Sequence, residues 1–166
     1  MAKIKLGDNT IETVGSLPQI GETAPDFDLI AQDLSSKKLS DFKGSRVIMN
    51  IFPSIDTNVC ATSVRKFNEK ATGLQNTNVL CISKDLPFAQ QRFVSDESLN
   101  NVTNLSDFRD GNFGKNYGVE MTSGALRGLH SRAVVVLDEN GKVIYNEQVP
   151  AIGDEPNYLA ALKTLL

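Results

Sequence analysis

The sequence predicts an α/β fold: a mixed central β-sheet flanked by helices, with an N-terminal β-hairpin. Three observations carry this. Two apolar runs, RVIMNIF (46–52) and NVLCIS (78–83), are short and rich in β-formers, as expected of strands buried on both faces. A helical pattern over 57–74 lies between them, and strand–helix–strand implies a right-handed parallel crossover. RAVVVLDENGKVIYNEQV (132–149) reads as a hairpin turned at Asn140-Gly141, which adds antiparallel strands to the same sheet.

The elements follow in order. KIKLGDNTIETVG (3–15) is two short alternating runs around Gly7-Asp8-Asn9, a hairpin. SLPQIGETAPDFDLI (16–30) holds two prolines and reads as an extended connection into a strand at 27–30, with another at 37–40. In the 57–74 helix Thr57 is the expected N-cap. Cys60, Val64, Phe67, Ala71 and Leu74 are spaced 4-3-4-3 and form one apolar stripe. Arg65 and Glu69 lie four apart on the wet side. LPFAQQRFV (86–94) is a short helix with Pro87 near its start, where proline is tolerated. A short strand is expected at 101–105, a glycine-punctuated helical turn or loop at 110–119, and an irregular loop at 121–131. EPNYLAALKTLL (155–166) closes as an amphipathic helix. This arrangement is thioredoxin-like and fits one domain over 1–166.

Composition excludes several functions. With 17 basic and 20 acidic residues, interspersed, the net charge of -3 gives no electrostatic case for nucleic acid or an anionic membrane surface. No apolar run approaches a membrane span, and the first ten residues turn polar too early for a secretory signal, so the expected location is cytoplasmic. Two cysteines do not make a disulfide framework, and one histidine with no CxxC argues against a Cys/His metal site.

The chemistry therefore turns on NIFPSIDTNVC, residues 50–60. If Thr57 caps the helix, Cys60 sits in its first turn. Unpaired N–H groups and the positive end of the helix dipole there favour a thiolate. The site also follows a buried strand, in the kind of βα loop where open α/β sheets place their chemistry. Thr57 can aim a hydroxyl at the same volume, and Pro53, with a fixed φ and no N–H, stiffens the loop. Cys60 also heads the apolar stripe, so helix position alone leaves a buried small hydrophobe open beside a nucleophile. Cys81, mid-strand between Leu80 and Ile82, reads as structural, because an apolar setting makes a thiol inert. Arg132 heads the apolar run 133–137 and would supply a cation if that strand lies beside the one ending at Phe52. His130, the one histidine, carries little weight as a Cys–His partner, since no oxyanion motif supports it.

Pro53, Thr57 and Cys60 form P-x-x-x-T-x-x-C, which resembles the peroxidatic signature of the peroxiredoxins. The likeness is closest to the bacterial thiol peroxidases, the atypical two-cysteine branch. NIFPSIDTNVCATSVRKFNEKAT, VLCISKDLPFAQQRF, GLHSRAVVVLDENGKVIY and the N-terminal hairpin all carry it, so it spans essentially the whole chain. The resemblance implies that Cys60 attacks a hydroperoxide and becomes a sulfenic acid. Thr57 would hydrogen-bond the thiolate or peroxide, Arg132 would hold both, and Pro53 would shield the site. It implies no cofactor. It also implies recycling by thioredoxin or another thiol, and a homodimer packed around GLHSR and PSIDT, with Met121 and Leu126 lining a groove for alkyl hydroperoxides.

One departure stands out. The family's resolving cysteine would follow LPFAQ-x-R-F, and here that position is Val94. Recycling by a single-cysteine route, an engineered replacement, and resolution by Cys81 remain as alternatives. Peroxide sensing, or a thioredoxin-fold binding module without efficient turnover, is the competing function. A thioredoxin-type thiol–disulfide exchange would require a cysteine at position 57, which is threonine.

Overall fold

A computed structural model describes all 166 residues. In chain order the elements are β1 (Lys3–Leu6), β2 (Asn9–Glu12), β3 (Asp28–Ile30), β4 (Ser36–Lys38), β5 (Arg46–Ile51), α1 (Asn58–Ala71), β6 (Thr77–Ser83), α2 (Pro87–Glu97), β7 (Thr103–Ser106), α3 (Asn112–Asn116), β8 (Ala133–Leu137), β9 (Val143–Gln148) and α4 (Tyr158–Lys163). The expected order holds throughout. A single 3-10 turn, Leu39–Phe42, takes over the end of the strand expected at 37–40.

Seven strands form one sheet in the order β4-β3-β7-β6-β5-β8-β9, and β1-β2 form a separate hairpin. β5, β6 and β7 run parallel through the crossover helices α1 and α2, whereas β8 lies antiparallel to β5 with Ile51 opposite Ala133. That last pairing sets the start of β8 beside the end of β5. The β8–β9 turn is closed by Asp138, whose Oδ1 accepts the N–H groups of Asn140 and Lys142, while Gly141 takes a left-handed φ of 79°.

Alternation along the central strands builds a core on each face. Val47, Met49 and Ile51 join Leu80, Ile82, Val135 and Leu137 on one side, under Phe113 and Tyr117. Ile48 and Phe52 join Val79, Cys81, Val134 and Val136 on the other, under α1 and α4. The α1 stripe meets this second face as expected: Cys60, Val64 and Phe67 are fully covered, with Ala71 and Leu74 packing at its margin. Burying the Phe67 ring alone is worth about 1.5–3 kcal/mol. No helix is long and apolar enough to cross a membrane.

Some boundaries move for identifiable reasons. α2 runs three residues beyond position 94, because Ser95, Asp96 and Glu97 continue its polar side until Ser98 turns left-handed at φ 54°. α4 is shorter than 155–166: it starts after Asn157, whose side chain accepts the Ala160 N–H, just past Pro156. Arg65 does not pair with Glu69. It reaches across to α2, where Nε meets Glu97 Oε1 at 2.6 Å and the guanidinium lies over the Phe93 ring.

Candidate active site

β5 delivers Phe52 and Pro53, both buried, and the chain then turns through Ser54–Asp56 into α1. Thr57 occupies the N-cap position, and Ala61 N–H bonds its carbonyl at 2.9 Å. The Thr57 hydroxyl makes no cap bond, however, contrary to expectation. It donates backward to the Ser54 carbonyl at 3.1 Å, because that loop carbonyl lies within reach of its Oγ1. Thr57 is exposed, whereas Cys60, three residues on, is 0% exposed and packs in the core with Phe52, Ile55 and Val64. Ser63 ties this turn to the sheet: its hydroxyl donates to the Cys60 carbonyl at 2.7 Å and accepts from Asn50 Nδ2 at 3.1 Å.

Arg132 does lie at the start of the strand beside β5, as the reading of its position required. It is 1% exposed, with no carboxylate within ion-pair distance. Nε and Nη2 both donate to the Ile152 carbonyl, at 2.9 and 2.8 Å, and Nη1 is buried without a hydrogen-bond partner. A buried guanidinium with a spare donor costs free energy unless an anion or acceptor meets it. Ile152 is itself held from behind, since its N–H donates to the Lys5 carbonyl and Lys5 N–H donates to Pro150. The N-terminal hairpin thus braces the carbonyl that aims Arg132. The arginine's field also reaches Glu155, whose carboxyl is held below its usual range chiefly by the Lys66 hydrogen bond, then by Tyr158, with Arg132 a lesser cause.

His130 is not a partner of Cys60. Its Nε2 pairs with Asp107 Oδ2 at 2.8 Å in the interior, and Asp107 also accepts the Phe113 and Gly114 N–H groups at the start of α3. Cys81 lies mid-strand and fully buried, and burial pushes its thiol up to about 12, opposed by a hydrogen bond from Asn50. Both cysteines are free thiols. Met121 does not line a surface groove. It is 1% exposed, in a small cluster with Ile4, Ile11 and Ile152 against which Leu126 packs, because the hairpin covers it. Val94 is half-buried on α2 and packs against the same core face as Cys60.

Sequence reasoning missed Asp85. Its carboxylate accepts Ser54 Oγ, Ile55 N–H and Ser83 Oγ, so it joins the loop before α1 to the end of β6. The available signal was Ser83-Lys84-Asp85 directly before Leu86-Pro87, two short polar side chains where a strand ends and a helix begins. It also missed the Ile152 carbonyl, for which a backbone atom gives no sequence signal.

Known proteins carry the same plan. The redoxin family matches residues 19–162. A thiol peroxidase of Corynebacterium glutamicum is 51% identical over 165 residues, 99% of each chain. The crystal structure of a peroxiredoxin-like protein from Aquifex aeolicus superimposes with a TM-score of 0.92 at 39% identity, over 99% of this chain and 96% of that one. A thiol peroxidase from Chromobacterium violaceum, 24% identical, shares the fold at a TM-score of 0.88, over 98% of this chain and 94% of its own. With its sheet order, its helix-borne cysteine and its full-length likeness to these proteins, the chain belongs to the redoxin family, in the thiol peroxidase branch of the peroxiredoxins.

Proposed function

We propose that this chain, as one domain over 1–166, reduces hydrogen peroxide and organic hydroperoxides through Cys60. The Cys60 thiolate attacks the terminal peroxide oxygen and gives it an electron pair. The O–O bond breaks, and water or an alcohol leaves after taking up a proton. Cys60 becomes a sulfenic acid. An external thiol, thioredoxin or a small thiol, attacks that sulfur, releasing water and forming a mixed disulfide. A second thiol then frees Cys60. The observation that carries this reading is Arg132: a buried cation, fixed through two of its nitrogens, with Nη1 unpartnered, at the head of the strand beside the one that leads to Cys60. Its spare N–H suits the charge that develops along the breaking O–O bond. Thr57 and Pro53 complete the site in this scheme, the first as a hydrogen bonder once its hydroxyl leaves Ser54, the second as a stiff shield.

Cys60 is sealed at rest, so peroxide and reductant enter when the exposed turn 56–58 opens. Val94 leaves no resolving thiol on α2, and Cys81 stays protonated and buried, so recycling is intermolecular. A homodimer packed around the active-site loops, in the cytoplasm, is the setting we assign. Steady-state consumption of cumene hydroperoxide with thioredoxin or dithiothreitol tests the reading. Turnover that vanishes in Cys60→Ser is expected. A single oxidation event without turnover, whatever the thiol supplied, would favour peroxide sensing instead.

A further inference from the structure

Asp85 has no part in the scheme above, yet it grips the loop that carries it. Oδ1 accepts Ser54 Oγ at 2.8 Å. Oδ2 accepts the Ile55 N–H at 2.7 Å and Ser83 Oγ at 2.6 Å. Two of these three donors lie between Pro53 and Thr57. The aspartate is anchored in turn: its own N–H reaches Ser83 Oγ at 3.3 Å, and its carbonyl accepts Ser106 Oγ from β7. Gln90, buried on α2, donates to Ser83 Oγ at 3.2 Å and to the Leu105 carbonyl at 3.0 Å. The loop before α1 is therefore fastened by the Asp85 carboxylate to the end of β6, with the Asp85 carbonyl tied to β7 and the Ser83 hydroxyl tied to α2. Bonds to an ionised acceptor are roughly twice as strong as neutral ones, which suits a grip on a short irregular loop.

We propose that Asp85 is a positioning residue for peroxide reduction. By fixing Ser54 and Ile55, its carboxylate holds Pro53 and the first turn of α1 in the alignment that Arg132 requires across β5 and β8. It touches no reacting atom, and the proposal rests on the reading of Cys60 as the oxidised thiol. Gln90 ties the start of α2 to the same cluster through Ser83, which donates to Asp85.

Asp85→Asn keeps the shape, removes the charge and sets an NH2 group against donors. Stopped-flow oxidation by hydrogen peroxide should slow by about 10- to 100-fold, the scale expected for a small misplacement of reacting groups. Alkylation by iodoacetamide, read by peptide mass, should rise several-fold at Cys60 while Cys81 stays protected. A purely structural role would not produce that split. Parent-like oxidation, or equal gains at both cysteines, would overturn the proposal. Ser54→Ala removes one donor and spares the carboxylate, so it serves if Asp85→Asn does not fold. A smaller loss with the same split is expected from it, and parent-like rates there would overturn the proposal too. Cys60→Ser, run alongside, separates the two failures: oxidation that persists in it would sink the Cys60 reading, while normal oxidation in Asp85→Asn sinks only the clamp.

Discussion

Removing the Arg132 guanidinium should have two separable effects. Arg132→Ala takes away a preorganised donor, and the rate constant for Cys60 oxidation should fall by about 100- to 1000-fold. It also leaves the buried Ile152 carbonyl unpaired, a loss of about 1–3 kcal/mol that urea unfolding would register. Equal oxidation rates in variant and parent would take Arg132 out of the chemistry. Cys81 makes a different prediction. Its thiol is raised from 9.0 to about 12 by burial, so the folded state holds that proton more tightly than the unfolded chain. The stability this represents is complete below pH 9 and is lost as pH rises toward 12, at a slope of about 1.4 kcal/mol per pH unit. Burial raises Tyr117, Tyr145 and Tyr158 with the same sign. Urea midpoints between about pH 8 and 11 should thus fall less steeply in Cys81→Ala. Parallel profiles would contradict the assignment. At this scale the sequence singled out Cys60 and Arg132 by residue type and position, and the structure sets Arg132 at the head of the strand beside β5, as that position required. The sequence was silent on Asp85, whose partners Ser54 and Ile55 lie about thirty positions away.

Among elements, α1 and α2 bear on the opening proposed at Cys60. α1 is joined to α2 by the Arg65–Glu97 pair at 2.6 Å, and the loop before α1 is joined to α2 by Arg92 Nη2 to Asp56 Oδ1 at 3.0 Å. The second pair is well exposed, and such pairs are worth about 1 kcal/mol at most. That pair is accordingly a light tie on the exposed turn at Asp56, beyond the segment that Asp85 holds. Val94→Cys exploits this. Valine and cysteine are close in size, so stability should change by less than about 1.5 kcal/mol. On peroxide treatment the variant should lose two hydrogens, which requires the two Cα atoms to come within about 7 Å. A persistent sulfenic acid would mean that the helices do not open that far. α1 was legible because its stripe faces one core. The end of α2 was not, because its last residues are polar and it stops at a left-handed serine rather than at a glycine.

At the scale of the molecule, sheet order is what brings the candidate residues to one end of the sheet. β5 and β8 are antiparallel neighbours, so residues over seventy positions apart, Pro53 and Arg132, flank one sheet end. The two-faced apolar runs made β5, β6 and β8 readable, and the Asn-Gly turn made the last hairpin so. How the N-terminal hairpin docks was not readable, because it acts through backbone groups: Lys5 to Ile152, and Glu12 to Thr122. That docking buries Met121. In the proposed mechanism Cys60 alone receives the peroxide oxygen, with no resolving thiol in the chain. Single-turnover oxidation of the reduced protein with hydrogen peroxide, followed by intact mass and a sulfenic-acid trap, distinguishes this from internal resolution. Fast gain of one oxygen, trappable and absent in Cys60→Ser, is the predicted result. Loss of two hydrogens, the mark of a Cys60–Cys81 disulfide, would contradict it.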